Sequence, residues 1–279
     1  MMKRYAWLRY PGFRDKAVTL TYDDGTSSDR KLIEIMSRYG LKGTFNINAG
    51  KMATEPGGYA LTMEEAVELY TSSGNEVAAH GYCHQWLTEM ETPMMVYEVL
   101  QDRIALEKAF GIPVRGFAYA YGAVDDTVVE IMRQCGYVYA RTTAEAGNFN
   151  IPTDWLRMPI TCRHRDPRLM ELAKNFLEGP PGAYHWIQTP RLFTLMGHSI
   201  EFVKDNNWNI IEEFGAYVGS RDDVWYATNR EVYDYVKSFE NLQFAADGSF
   251  VYNPGREDVY ICFKGVNHMI PSGETVRLD

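Results

Sequence analysis

Ala17-Val-Thr-Leu-Thr-Tyr-Asp-Asp-Gly25 is a segment in which apolar side chains alternate with threonines ahead of two adjacent carboxylates. This period-two pattern is typical of a β-strand. Because neighbouring side chains of an extended chain point to opposite sides, Asp23 and Asp24 need not share one role. One acid can bind a metal while the other faces the reacting atoms. Taken alone, Asp-Asp-Gly is more often a simple turn, so its interpretation depends on the rest of the chain.

A second segment, Ala78-Ala-His-Gly-Tyr-Cys-His84, supplies two imidazoles directly after another predicted strand. On a helical turn, the spacing of His80 and His84 would bring both rings to one face, where they could bind one divalent ion. One carboxylate and two histidines leave positions open for water and substrate, as in catalytic rather than structural sites. A His-x-x-x-His pattern alone is weak evidence. The Asp-Asp-Gly and His-x-x-x-His motifs together, each at the end of a predicted strand, are much more specific evidence for a metal site.

Together the two motifs resemble those of the polysaccharide deacetylase family, the NodB-homology domain of carbohydrate esterase family 4. That family carries Thr-Phe-Asp-Asp-Gly followed by His-Ser/Thr-x-x-His. This chain has Thr21-Tyr-Asp-Asp-Gly25 and His80-Gly-Tyr-Cys-His84 in the same order. The resemblance extends from about Lys16 to about Phe244. It implies a metal-dependent hydrolase that acts on carbon–nitrogen (amide) bonds.

Predicted strands and helices alternate along most of the chain, which indicates a parallel sheet. After the first strand, the predicted strands are Gly43–Asn48, Glu76–Ala79, Arg115–Gly122 with its loop, Tyr137–Arg141, Arg191–His198 and Val224–Thr228. About seven such units are enough to close a barrel, and the resemblance specifies the distorted (β/α)7 barrel of the deacetylases. We predict an α/β catalytic barrel over residues 1–246 and a small β-rich C-terminal extension over residues 247–279. A Gly-Pro-Pro-Gly loop is predicted at Gly179–Gly182.

The resemblance implies that Asp24, His80 and His84 bind one divalent metal ion. Nitrogen and oxygen ligands favour Zn2+, with Co2+, Mn2+ or Ni2+ as alternatives. Such an ion can lower the pKa of a bound water from about 16 toward about 7, which makes hydroxide available at neutral pH. Metal binding is therefore the first expectation for this site.

The resemblance also implies which residues act on the substrate. Asp23 would be the general base that takes a proton from water, and His198 would protonate the departing amine. The backbone N–H of Tyr121 would help to stabilise the tetrahedral oxyanion. Because all of these residues follow predicted strands, a β/α barrel would bring them to one mouth. Considered alone, His198 could equally well cap a core strand.

The chain departs from the family pattern at three places. The third family motif, Arg-x-Pro-Tyr, is replaced by Ala118-Tyr-Ala-Tyr121, which lacks the arginine that orients the base, and we expect Arg157 or Arg163 to replace it. Gly81 stands where the family has Ser or Thr. Asp154-Trp155 is a weak match to the Asp-Trp motif, so Trp155 is a candidate substrate-binding residue that could also simply pack in the core. These changes favour a short or soluble substrate.

Composition limits the classes of partner. A net charge of −9 argues against nucleic acids and anionic membranes as general partners. The 4 cysteines include no Cys-x-x-Cys pair, which argues against a disulfide framework or a thiolate zinc site. The amino terminus contains Arg4 and Arg9 and has no apolar stretch of signal-peptide length, and no transmembrane run follows. We therefore expect a cytoplasmic protein, whose oligomeric state the sequence leaves open.

The favoured function is a metal-dependent deacetylase that hydrolyses the N-acetyl group of an amino sugar or a short oligosaccharide. A second enzymatic interpretation is an amidohydrolase on a non-sugar amide such as a cyclic ureide. A third is a catalytically silent carbohydrate-binding protein on the same fold. The silent interpretation requires the loss of a key residue, whereas all five implied metal-binding and acid–base residues are present: Asp23, Asp24, His80, His84 and His198.

Overall fold

The computed structural model describes residues 1–3, 6–179 and 189–278. Most of the predicted Gly179–Gly182 loop therefore lies outside the described residues. In chain order, the described strands are β1 (Met2–Lys3), β2 (Ala6–Arg9), β3 (Lys16–Asp23), β4 (Gly43–Ile47), β5 (Glu76–Ala79), β6 (Gly116–Ala118), β7 (Tyr139–Glu145), β8 (Met158–Ile160), β9 (Cys162–Arg163), β10 (Arg191–Gly197), β11 (Val224–Tyr226), β12 (Gln243–Phe244), β13 (Phe250–Tyr252), β14 (Val259–Phe263), β15 (Val266–Ile270) and β16 (Thr275–Arg277). The helices are α1 (Asp29–Arg38), α2 (Met63–Ser72), α3 (Thr92–Phe110), α4 (Asp126–Gln134), α5 (Leu169–Glu178), α6 (Ser199–Lys204), α7 (Asn209–Val218) and α8 (Asn229–Asn241).

The central sheet is parallel and nearly closes on itself. Its strand order is β8-β7-β6-β5-β4-β3-β10-β9. The two end strands, β8 and β9, are consecutive in the chain and are separated only by Thr161, whose N–H donates to the carbonyl of Thr194 at 2.9 Å. The segment 158–163 therefore pairs with β7 through its first half and with β10 through its second half. This arrangement confirms the predicted distorted (β/α)7 barrel, although the sequence did not indicate the strands that bring its ends together.

Strand β3 lies at the centre of this sheet and is buried along its whole length. The apolar residues of its alternating pattern are Val18, Leu20 and Tyr22. They lie in the larger core cluster, which also contains side chains of α1. The polar half forms hydrogen bonds inside the barrel. Thr19 donates to Asn229 Oδ1 at 3.0 Å, and Asn46 donates to Thr21 Oγ1 at 2.8 Å. The alternation thus separates an apolar outer face from a polar lumen, and this polar lumen ends at Asp23.

Local hydrogen bonds and backbone conformation set the ends of three helices. At α2, Thr62 and Glu65 form a capping box. Helix α3 ends at Gly111, which has φ 69° as a left-handed C-cap requires. The side chain of Asp125 accepts from the Val128 N–H at 2.8 Å and caps α4. The short helix α6, directly after β10, was not predicted, and it matters for the site because it begins next to His198.

Both ends of the chain meet in a second core. Strands β1, β2, β14 and β15 form one antiparallel sheet, and β12, β13 and β16 form another. Apolar residues of these strands pack with α8 in a separate buried cluster that includes Leu8, Val236 and Ile261. The predicted boundary at residue 246 stays a prediction, but β14 and β15 share a sheet with the N-terminal strands β1 and β2, and β13 pairs with β12, which precedes the boundary. Among the described residues, no helix combines the length and apolar character needed to cross a bilayer.

Candidate active site

Asp24, His80 and His84 converge at the carboxyl end of the barrel strands. One ligand atom from each lies within 4.8 Å of the other two. The Oδ1 atom of Asp24 is 3.8 Å from Nε2 of His80 and 3.7 Å from Nε2 of His84. Asp24 directly follows β3, and His80 directly follows β5, so the two strands that flank β4 in the parallel sheet deliver these groups to one edge.

The backbone brings the two histidines together in an unexpected way. The segment 80–84 is an irregular loop and not the helical turn on which the spacing of His80 and His84 would bring both rings to one face. Gly81 has φ 84° and His84 has φ 58°, and these two left-handed residues fold the loop back so that the rings lie 4.7 Å apart. Asp24 and Tyr121 also have positive φ, at 81° and 58°. Strained backbone of this kind persists only where the surroundings enforce it, and it concentrates at functional sites.

The three side chains have the chemistry of a metal site. Nδ1 of His80 lies 2.7 Å from the carbonyl oxygen of Ala118, which can only accept, so Nδ1 carries the proton and Nε2 keeps its lone pair. Burial lowers the pKa of His80. Burial and the neighbouring His80 lower the pKa of His84 to about 4. Both rings are therefore neutral at physiological pH, and the set of two nitrogens and one carboxylate oxygen suits a divalent cation such as zinc.

Asp23 is held differently from its neighbour Asp24. It is 2 % exposed, accepts from Asn46 Nδ2 at 2.8 Å, and forms a buried ion pair with the Arg141 guanidinium. Burial opposes ionisation of this carboxyl, but the positive charge and hydrogen bonding of Arg141 outweigh it and lower the pKa to about 2. Asp23 is thus an ionised carboxylate that points into the site without joining the three-residue cluster.

Arg141, the third residue of β7, forms the ion pair with Asp23 that the resemblance implied for the arginine missing from the third motif. The expectation that Arg157 or Arg163 would do so is wrong. Arg157 pairs with Asp126 and Asp154 at the surface, and Arg163 pairs with Glu145. The sequence did contain a signal, because Arg141 is a charged residue at the end of the predicted fifth strand.

His198 lies on the other side of Asp23. Its Nε2 atom is 3.9 Å from Asp23 Oδ2, and its Nδ1 atom is 3.6 Å from Glu201 Oε1. Glu201 also lies 3.2 Å from Nε2 of the fully buried His164, whose ring stacks on Phe202. Burial favours the neutral ring of His198, but Glu201 and the carboxylates of the site outweigh it, and its pKa is raised. Glu201 was not predicted, although it lies at the i+3 position from His198 on α6.

An exposed aromatic pair borders the site. The rings of Trp86 and Tyr121 stack at 4.3 Å with an angle of 6° between their planes, and the Tyr121 ring also contacts His84 edge-on at 4.6 Å. Trp86 and Tyr121 are 46 % and 52 % exposed. The structure buries Trp155, by contrast, at 6 % exposed against Tyr233 in the second core. Trp155 therefore packs and does not face the site, whereas Trp86, which the sequence analysis missed, does.

Comparison with known proteins agrees with this geometry. Residues 11–140, which contain both motifs, match the family model for polysaccharide deacetylase. The chain contains a polysaccharide deacetylase domain. The fold of this deacetylase domain is also that of a crystal structure from Mycobacterium smegmatis that is assigned to the polysaccharide deacetylases. The two share 18 % sequence identity with a TM-score of 0.62, over 86 % of this chain and 96 % of that one.

Two curated proteins resemble parts of the deacetylase domain. The bifunctional xylanase/deacetylase of Pseudobutyrivibrio xylanivorans is 25 % identical over 121 residues, which is 41 % of this chain and 18 % of that protein. Chitin deacetylase 1 of Cryptococcus neoformans is 26 % identical over 141 residues, which is 49 % of this chain and 28 % of that protein. The chain thus matches less than a third of the length of either relative.

Proposed function

We propose that this protein is a metal-dependent deacetylase that hydrolyses the N-acetyl amide of an amino sugar or a short oligosaccharide. The observation that carries the proposal is the position of the Asp24–His80–His84 cluster beside an ionised Asp23 and a histidine of raised pKa, His198. Amide hydrolysis needs a group that accepts a proton from water and a group that donates one to the leaving nitrogen. The site offers one of each.

Asp24, His80 and His84 are the residues that would hold the ion. A divalent cation bound there supplies Lewis-acid activation of water and of the amide carbonyl. Asp23, which Arg141 and Asn46 keep ionised and fixed, takes the proton of the attacking water.

His198 acts in the second part of the reaction, when the amine leaves. Its Nε2 atom lies 3.9 Å from Asp23 Oδ2, so the base and the acid flank one small volume. In its protonated form, His198 donates to the departing amine. The positive φ of Tyr121 turns its peptide at the rim of this volume, where its N–H is a candidate donor to the developing oxyanion.

Features around the site support a carbohydrate substrate. Trp86 and Tyr121 expose aromatic surface next to His84, and aromatic rings suit contact with the apolar face of a sugar ring. Both rings are about half exposed, so the aromatic surface is open to solvent and accepts a ligand larger than an acetamide. An open, aromatic edge of this kind favours a sugar over a small cyclic ureide.

The decisive experiment compares the wild-type protein with Asp24→Ala. We expect the wild-type protein to bind about one divalent ion and to release acetate from N-acetylglucosamine oligomers. Asp24→Ala should lose most of the metal and essentially all acetate release, because one of three ligands is missing. Metal content is measured by elemental analysis after dialysis, and acetate is measured by a coupled assay.

Asp234→Ala serves as the matched control, because Asp234 is an exposed aspartate of α8 that forms an ion pair with Arg230. It should retain wild-type metal and activity. Equal metal in the wild type and in Asp24→Ala would overturn the metal site. Opening of a cyclic ureide ring without acetate release would favour the amidohydrolase, and sugar binding without any hydrolysis would favour a binding protein.

The pH dependence of kcat provides a test of the acid. Although burial opposes it, contacts with His164 and His198 hold the pKa of Glu201 below its ordinary value, so Glu201 is an anion that raises the pKa of His198. A raised pKa keeps the acid protonated to higher pH. Glu201→Gln removes this charge, so the alkaline limb of the kcat profile should move to lower pH.

The control for this prediction is Asp205→Asn, which removes a carboxylate next to α6 that pairs with Arg165. It should leave the alkaline limb in place. An unchanged limb in Glu201→Gln, or an equal shift in both variants, would argue against His198 as the acid.

A further inference from the structure

The loop that carries His80 and His84 has no regular secondary structure, yet α3 binds nearly all of its backbone N–H groups. Glu98 and Asp102 lie one turn apart on α3 and are 3 % and 0 % exposed. Their spacing places both carboxylates on one face of the helix. That face is the one against which the loop packs.

Glu98 binds the amides on both sides of His84. Its Oε1 atom accepts from the N–H of Cys83 at 2.7 Å and from the N–H of Gln85 at 3.3 Å. Between them, His84 has φ 58°. Two N–H groups that flank a left-handed residue and converge on one anionic oxygen form a backbone nest, which is an anion-binding conformation. Here the anion is a side chain of the same protein.

Further contacts extend this arrangement toward His80. The Oδ2 atom of Asp102 accepts from the N–H of His80 at 2.9 Å, and its Oδ1 atom accepts from Ala49 at 2.7 Å. The carbonyl oxygen of Glu98 accepts from Tyr82 at 3.1 Å. The first and last residues of the loop are therefore fixed to the same helix through two carboxylates.

The lack of a side chain at Gly81 leaves room for the Glu98 carboxylate beside the loop. A Cβ atom at this position would lie 3.1 Å from Glu98 Oε1, and the φ of 84° disfavours any other residue. The family motif has Ser or Thr at this position. Replacing that side chain with glycine leaves space for a carboxylate from α3 beside the loop.

We propose that Glu98 is a positioning residue for the metal site, with its carboxylate holding His84 in the left-handed conformation that points its ring toward Asp24. This inference rests on the proposed function, in which His84 is a metal ligand. A left-handed conformation is unfavourable for a residue with a Cβ, so a local contact is needed to maintain it. Without the anion, the nest opens and His84 populates other backbone conformations, so the site is no longer preorganised.

The test uses Glu98→Gln and Glu98→Ala in the 279-residue protein. The affinity for Zn2+ is measured by competition with a chromophoric chelator, and exchange of the Cys83 and Gln85 amides is measured by NMR on the metal-free protein. Residues that support metal ligands typically contribute about 10–100-fold to metal affinity. We expect a loss in this range for Glu98→Ala, a smaller loss for Glu98→Gln, whose amide oxygen still accepts, and faster exchange of both amides.

Glu107→Gln is the matched control on the same helix. Glu107 Oε1 accepts from the N–H of Val114 at 3.0 Å, so it also holds a loop, but one remote from the site. This variant should keep wild-type zinc affinity even if its melting temperature falls. If Glu98→Ala does not fold, the zinc affinity and amide exchange of the nearly isosteric Glu98→Gln provide the test.

Unchanged zinc affinity and unchanged amide exchange in folded Glu98 variants would overturn the inference, and so would an equal loss of affinity in Glu107→Gln. The proposed function can fail separately. If the wild-type protein binds zinc but releases no acetate, the function is refuted and the Glu98 comparison still stands. If the wild-type protein binds no metal, this inference is overturned together with the proposed function.

Discussion

Asp23→Asn should lower kcat by about 10²–10⁴-fold, the usual contribution of a general base, while metal content stays at the wild-type level. Asparagine has nearly the shape of aspartate but cannot take a proton from water. Asp23 does not belong to the Asp24–His80–His84 cluster, so its substitution leaves the three candidate ligands in place. The measurement is steady-state acetate release together with elemental analysis of the same preparation.

Glu76→Gln is a suitable control for this prediction. Glu76 is also a carboxylate held by hydrogen bonds, from Thr44 and Tyr139, but it lies at the start of β5, at the other end of the barrel. We expect its loss to affect stability rather than kcat. An Asp23→Asn protein that retains wild-type kcat would exclude Asp23 as the base, and one that loses its metal would assign Asp23 to the ligand set.

Arg141→Met should give the largest loss of stability among single substitutions at the site. Arg141 is fully buried and forms an ion pair with Asp23. Removing one partner of a buried pair leaves the other charge without compensation and typically costs about 3–5 kcal/mol of unfolding free energy. The decrease is measured by urea denaturation at pH 7. Because the base is then misplaced and partly protonated, kcat should also fall.

The dependence of the unfolding free energy on pH below 7 should differ between the wild type and Arg141→Met. In the wild type, the pKa of Asp23 is lowered from 3.8 to about 2, so its contribution to stability is present above pH 3.8 and is lost as the pH falls toward 2. Without Arg141, burial is the dominant influence and raises this pKa. Protonation of Asp23 at low pH then removes the unpaired buried charge, so the loss of unfolding free energy in Arg141→Met relative to the wild type should be largest near pH 7 and should shrink as the pH falls.

The double variant Asp23→Asn/Arg141→Met separates pairing from general packing. With no charge left unpaired, it should recover part of the unfolding free energy lost in Arg141→Met, but it should remain inactive. A double variant that is less stable than Arg141→Met would mean that the two residues stabilise the fold independently and not as a pair.

Local features of the sequence were sufficient to predict the barrel and four residues at its mouth. Asp23, Asp24, His80 and His198 each follow a strand that the hydrophobic pattern reveals, and a β/α barrel delivers strand ends to one side. Capping signals such as Thr62 with Glu65 also depend on local sequence, because their hydrogen bonds join residues three apart. Patterns of this kind depend only on neighbours in the chain.

Residue roles that depend on contacts across the fold could not be predicted. Arg141 reaches Asp23 across 118 positions, and the choice between it and Arg157 or Arg163 depends on strand order and register in the closed sheet. The conformation of His84 depends on a carboxylate from α3, because Glu98 converts an expected helical turn into a nest. The sequence by itself determined which chemical groups this site contains. Only the tertiary structure decided which of them are paired, because a buried charge takes its partner from whatever the packing places within a few ångströms of it.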